Sequence, residues 1–194
     1  MDKLDTKQLI IATFYKLIAE KGYDKASIND LVKETNLSKG AIYHHFNNKD
    51  DIFIATIEFI FSSMMQTDFL DINNITKENY KLILKSMGNN ILNFNKIDPY
   101  YSKFQFEFIN QAFRMPKVKE YLIKSLENYL EIFNNFFDYL YQKNFISNKK
   151  DPKIISQLFF MMLDSMVLYK TLDIPFNFEE NWEKFIDLIL DEGE

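Results

Sequence analysis

The chain has 194 residues, a net charge of −5, 47% hydrophobic and 26% charged side chains, which suits one compact domain or a small module joined to a larger one. It contains no cysteine, excluding disulfides, thiolate metal sites and thiol nucleophiles. No apolar run approaches the ~20 residues of a membrane span, and acidic residues precede the short apolar run of "MDKLDTKQLIIATF", unlike a secretory signal, so no membrane partner and a cytoplasmic location are expected.

The charge is uneven. Residues 1–50 carry 8 lysines and 7 acids, whereas residues 51–194 carry 15 bases and 21 acids. A near-neutral head on an acidic body leaves room for a local basic patch but implies weak non-specific attraction to polyanions.

Helical periodicity runs through the chain, and no convincing strand pair is found. The first helix is expected at Thr6–Lys21, stopped by Gly22, because glycine accepts the positive φ of a C-terminal cap. Ser27 and Ser38 are placed to cap the second and third helices, and Ser27 is followed three residues on by Asp30, close to a capping box. The fourth helix starts at Asn48, with Asp50 and Asp51 complementing its dipole. Later helices are expected over 76–95, 99–114, 116–144, 152–172 and 178–191. In the long helix over 116–144, Glu120, Lys124, Glu127, Glu131, Asn135, Asp138 and Gln142 form one narrow wet stripe, with the remaining circumference apolar and buried.

The only two histidines, His44 and His45, lie in the short third helix. On a wheel of ~100° per residue, Ile42 and Phe46 face inward and His44 lies nearly opposite, with Gly40 and Ala41 beside it. Tyr43 and His45 flank this face, and Lys39 sits at the helix start. A two-turn helix whose outward face combines small residues with hydrogen-bonding rings fits a recognition helix entering the major groove. Gly40 permits close backbone approach, Lys39 reaches a phosphate or a guanine edge, and Tyr43, His44 and His45 reach phosphates. Lys49, with the N-terminus of the fourth helix, is expected to hold a second phosphate. The helix over 28–34 and the turn "TNL" complete a helix-turn-helix.

The stretch "IIATFYKLIAEKGYDKASINDLVKETNLSKGAIYHHFNNKDDIF" resembles the N-terminal domain of the tetracycline-repressor (TetR) family of transcriptional regulators. "LSKGAIYHHFNNKDDI" is its most specific part, strengthened by "EKGYDKAS" upstream. By resemblance, DNA-contacting positions fall on Ser27, Ser38, Lys39, Gly40, Tyr43, His44, His45 and Lys49, and the histidines face DNA instead of a metal. Three positions depart from the family pattern: Asn36 replaces a glycine, and Val32 and Phe14 replace alanines. Asparagine tolerates the left-handed conformation, so the turn is expected to survive.

An enzyme has no positive support. Without a further histidine, a His general base or a Glu-x-x-His metal motif outside the short helices is impossible, and no cofactor is implied. Residues 100–145 hold 14 aromatics, mostly core, with an apolar ligand pocket as the sharper reading. Its candidate lining is Met64, Met65, Met87, Asn90, Phe104, Phe108, Gln111 and Tyr129. Asp164 interrupts an apolar run but falls in line with Gln157 and Thr171, the pattern of an exposed or interface-edge acid. The remaining faces of the last two helices are too apolar for solvent, and Phe159, Met162, Met166, Tyr169, Trp182 and Phe185 are expected at a dimer interface.

The expected architecture is all-α: a three-helix helix-turn-helix DNA-binding head over 1–48, and a helical-bundle body over 49–194 for ligand binding and dimerisation. The expected function is a ligand-responsive transcriptional regulator, a repressor that binds palindromic double-stranded operator DNA as a homodimer and is released by a small hydrophobic effector. The alternative is a protein of the same helical fold with a non-transcriptional ligand-binding or protein-interaction role.

Overall fold

Asp5 accepts the backbone N–H of Gln8 at 2.7 Å while the Gln8 side chain accepts the N–H of Asp5, a reciprocal cap that starts the first helix. The computed structural model describes residues 5–65, 74–93, 98–147 and 151–190. Among the described residues there are nine α-helices and no strand. They are α1 (Thr6–Lys21), α2 (Ile28–Thr35), α3 (Lys39–His45), α4 (Lys49–Met65), α5 (Tyr80–Leu92), α6 (Tyr101–Ala112), α7 (Pro116–Gln142), α8 (Pro152–Thr171) and α9 (Phe178–Leu190).

Packing divides the chain into two units, Met1–Thr67 with Asp98–Ser125, and Asp68–Ile97 with Leu126–Glu194. This division follows cores and runs elsewhere than a functional boundary after residue 48, which stays a proposal.

In the first unit α1 is the central element, packed on α2, α4 and α6. Its buried face carries Ile10, Phe14, Leu17 and Ile18, joined by Leu31, Ile42, Ile52, Phe53, Phe104 and Phe108. Phe14, one of the departures from the family pattern, is fully buried and fills this core, while Val32 packs on it half-buried. Gly22 ends α1 at φ 78°, as expected, and its N–H closes on the Ile18 carbonyl. The Tyr15 hydroxyl donates to Asp98 at 2.8 Å, and the Tyr15 ring meets Phe104 edge-on at 5.0 Å. The Tyr121 hydroxyl donates to Glu58, tying α7 to α4 within this unit.

In the second unit the core is aromatic: Phe133, Phe136 and Phe137 of α7, Phe159 of α8 and Trp182 of α9, with Leu84 of α5. Asp151 caps α8 by accepting the N–H of Lys153, and Pro152 occupies the first helical position, where its missing N–H costs nothing.

Several helix bounds differ from the sequence expectation for local reasons. α5 starts at Tyr80, not Thr76, because residues 76–79 form a turn in which the Asn79 side chain accepts the Thr76 N–H at 2.8 Å. α6 starts at Tyr101 because the Asp98 carboxylate accepts the N–H of Tyr100 at 2.9 Å and holds a turn over Pro99. α7 closes at Gln142, where Asn144 takes a positive φ of 56° and Phe145 N–H returns to the Leu140 carbonyl. The expected ends at 95 and 191 lie outside the described residues.

The wet stripe of α7 is exposed at every named position, but the rest of the helix is not uniformly buried. Ile123, Leu126, Ile132 and Tyr141 are also exposed, so the solvent-facing arc is wider than the polar stripe alone implied.

Candidate nucleic-acid interface

The second helix begins with the capping box its sequence suggested. Ser27 Oγ accepts the Asp30 N–H at 3.2 Å, and the Asp30 carboxylate takes the Ser27 N–H at 3.0 Å and its hydroxyl at 2.6 Å. The same carboxylate receives the Lys21 ammonium at 2.7 Å, joining the end of α1 to the start of α2. The bond from Lys21, then that from Ser27, lowers the Asp30 carboxyl to about 2. α2 ends at Asn36 with φ 57° and ψ 19°, the left-handed conformation that lets asparagine stand in for the family's glycine. Ser38 then caps α3, its Oγ accepting the Ala41 N–H at 3.1 Å.

α3 presents the face that the wheel predicts. Ile42 and Phe46 are buried, whereas Ser38, Lys39, Gly40, Tyr43, His44 and His45 are exposed, Tyr43 at 46%. The two imidazoles meet edge-on at 5.2 Å, with no carboxylate cluster of metal-site composition among the described residues. Gly40 has an ordinary helical backbone, and a Cβ placed on it would meet only Ser38 Oγ at 3.8 Å. No contact among the described residues calls for glycine there. The bare surface instead suits close approach by something external.

Lys49 and Ser27 both make contacts within the protein. The Lys49 ammonium donates to the Tyr23 carbonyl at 2.9 Å and lies 4.1 Å from the Tyr23 ring centroid, which holds it against Tyr23. The start of α4 is occupied by its own acids: Asp51 accepts the Asn47 amide at 2.8 Å and Asp50 accepts the Tyr23 hydroxyl. Burial and that bond to Asp50 push the Tyr23 phenol up. Ser27 is half-buried, with its hydroxyl committed to Asp30.

The expected ligand residues are divided between the two units. Phe104, Phe108 and Gln111 are buried in the first unit, where Gln111 donates to Glu107 at 2.8 Å. Met87 and the exposed Asn90 line a shallow groove on α5 of about 260 Å³ with Leu82, Ile83 and Ser86. Tyr129 stacks on Phe160 at 6.5 Å, and burial pushes its phenol up to about 12. The side chains of Met64 and Met65 lie outside the described residues.

The expected dimer residues separate into two sets. Phe159, Met166 and Trp182 belong to the core of the second unit, with Met166 only 4% exposed, because the aromatic packing of α7, α8 and α9 consumes those faces. Met162, Tyr169 and Phe185 instead line an apolar cleft of about 390 Å³ between α8 and α9, with Met166 at its floor. Phe176 and Leu188, which the sequence reading missed, also line it, with Phe178, Ser165, Asn181 and Lys184, and Leu188 is 76% exposed. Leu188 stands three residues beyond Phe185, a helical spacing that places both on one face. Asp164 is exposed as a residue, as its line with Gln157 suggested, while partial burial of its carboxyl raises it above the usual range.

A left-handed asparagine turn between two capped short helices, the second exposing Lys39, Gly40 and Tyr43, defines a helix-turn-helix protein with a helical body. Residues 10–56 match the model for "Bacterial regulatory proteins, tetR family". It is 34% identical over 76 residues to the biofilm operon icaADBC HTH-type negative transcriptional regulator IcaR of Staphylococcus epidermidis, a match covering 39% of each chain. The Staphylococcus aureus IcaR is 34% identical over 103 residues, which are 53% of this chain and 45% of the relative. The matched segment thus takes in less than half of these relatives' length. Over nearly the whole chain the fold is that of solved regulators. FadR of Bacillus subtilis, in complex with stearoyl-CoA, gives a TM-score of 0.73 at 20% identity, covering 96% of this chain and 98% of that one. GusR of Salmonella enterica gives 0.78 at 16% identity, covering 98% and 97%.

Proposed function

We propose that this protein is a ligand-responsive, DNA-binding transcriptional regulator and not an enzyme: a cytoplasmic repressor that holds a palindromic operator as a homodimer and leaves it when a small hydrophobic molecule binds. The observation that carries the reading is the outer face of α3, where an exposed glycine with no internal reason to be glycine lies among Ser38, Lys39, Tyr43 and His44. Such a face lets backbone approach base edges while neighbouring donors reach phosphates. The match of residues 10–56 to the tetR family, and the negative regulator IcaR among its relatives, support a repressor. One α3 reads only a few base pairs, so two copies about one DNA turn (~34 Å) apart, or a multiple of it, supply useful affinity. The exposed apolar residues Leu158, Met161, Tyr169, Phe176 and Leu188 on α8, α9 and their connection favour a self-associating face. That FadR, of the same fold, is in complex with stearoyl-CoA supports a small-molecule effector.

The test is a gel shift on an inverted repeat in the DNA upstream of the protein's own coding sequence. Lys39→Ala and Tyr43→Phe are expected to bind several-fold more weakly than wild type, with unchanged melting temperatures. Equal binding by all three proteins would overturn the assignment of α3.

A further inference from the structure

Where the structure holds Lys49 against Tyr23, it places another exposed cation beside α3. The Lys7 ammonium, on the first turn of α1, lies 5.9 Å from the ring centroid of Phe46, the C-cap residue of α3. Lys7 is exposed, and among the described residues it has no ion pair; the pairs of this unit use Lys21 and Arg114. The nearby Asp5 carboxylate is committed to the Gln8 N–H at 2.7 Å, as the cap of α1. Phe46 is itself buried and fixed, its N–H closing on the Ile42 carbonyl at 3.1 Å, so the ring that Lys7 covers moves only with α3.

Geometry gives this cation a use. At ~1.5 Å per residue a seven-residue helix is about 10 Å long, so when it docks across a major groove ~12 Å wide each of its ends comes near a flanking phosphate strand. Lys39 stands at the N-terminal end. At the other end, the Lys49 ammonium is held against the Tyr23 carbonyl and ring, and Asp50 and Asp51 start α4 beside it. We propose that Lys7 is the phosphate contact at the C-terminal end of α3, a DNA-positioning residue supplied by α1. The inference rests on the DNA-binding reading above.

Fluorescence anisotropy of the full chain would test it, using the duplex with the upstream inverted repeat and a random duplex of equal length, between 50 and 200 mM KCl. One lost phosphate contact lowers the slope of log K against log[salt] by about 0.9 per protomer, and shrinks the affinity drop across this range by about threefold. Lys7→Gln is expected to show this loss equally on both duplexes, because a phosphate contact carries no sequence information, while Lys7→Arg keeps the wild-type slope. Lys16 serves as the control: it also covers a ring, that of Tyr100 at 6.0 Å, but nine residues on it points to the opposite side of α1. Lys16→Gln is expected to match wild type. A wild-type slope in Lys7→Gln, with Lys39→Ala still impaired, would overturn the role of Lys7 alone; failure of the wild-type protein to bind either duplex would remove the DNA reading and this inference together.

Discussion

The indole of Trp182 occupies the space that a side chain at position 88 would need: a Cβ on Gly88 would lie 1.9 Å from Trp182 Cε2 and 2.0 Å from its Nε1. The ring is also fixed in place, since Nε1–H donates to the carbonyls of Leu84 and Lys85 at 3.2 and 3.1 Å, and Phe159 meets the ring edge-on at 5.1 Å. Trp182 thereby joins α9 to α5 through a missing side chain.

Two opposed effects decide what Gly88→Ala does. Alanine favours a helix over glycine by about 1 kcal/mol, but overpacking a filled core costs typically 1–3 kcal/mol, and the overlap here is with a rigid ring instead of a flexible chain end. Net destabilisation of about 1–2 kcal/mol is expected, read as a lower urea midpoint with little change in slope. A variant as stable as wild type would show that the Trp182 ring shifts freely.

The head was legible in the sequence because its signals are local. Ser27 with Asp30, Asn36 in the turn, Ser38 before a short helix and the inward pair Ile42 and Phe46 each act within a few residues. The engagement of Lys49 with Tyr23 was not legible, because it spans 26 residues and depends on how α4 packs on α1. The same limit applies to the body. Met166 and Tyr169 look alike as apolar positions on α8, yet one lies in the core and the other is exposed, a difference set by the aromatic residues of α7 and α9.

Gly40 gives a direct separation of folding from recognition. A Cβ there meets nothing closer than 3.8 Å, so Gly40→Val should leave the fold intact, with a melting temperature within a few degrees of wild type. The branched side chain would hold α3 away from base edges, and operator affinity is expected to fall at least tenfold. Undiminished binding by a folded Gly40→Val would mean that the glycine face does not meet DNA.

Acid should loosen the α1–α2 junction as pH falls from about 4 toward 2. The folded-state carboxyl of Asp30, at about 2, lies below its unfolded value because Lys21 and Ser27 bind the charged form. Its contribution to stability is therefore fully present above the unfolded value near 4 and is lost as pH falls toward 2. Urea titrations of Asp30→Asn between pH 5 and 2 are expected to fall less steeply with acid than wild type. Parallel curves for the two proteins would remove this carboxylate from the account.

Self-association is best probed at residues that the protomer does not use for its own core. Tyr169 and Leu188 are exposed on the apolar cleft of α8 and α9, whereas a charge at Met166 would enter the core and unfold the second unit. Tyr169→Asp and Leu188→Asp are expected to give folded monomers that bind the operator poorly, measured by sedimentation and anisotropy on the same samples. Wild-type protein sedimenting as a monomer at micromolar concentration would overturn the dimer.

Release by a ligand carries a quantitative constraint. A ligand can weaken DNA binding only by as much as it prefers the state that does not bind DNA, commonly ~1–3 kcal/mol, or about 5–150-fold. By reciprocity the operator must weaken ligand binding by the same factor. The methionines on the apolar surfaces, Met87 on the α5 groove and Met162 in the α8–α9 cleft, suit hydrophobic compounds of varied shape, since the thioether chain adapts its rotamers. A compound that binds the folded protein is recognised by a rise in melting temperature with its concentration. Titrating it with and without saturating operator DNA should give dissociation constants that differ by the factor found when DNA is titrated with and without the compound. Identical constants in the two ligand titrations would identify a binder that is no inducer, and the same result from every stabilising compound would leave DNA binding in this protein independent of small molecules.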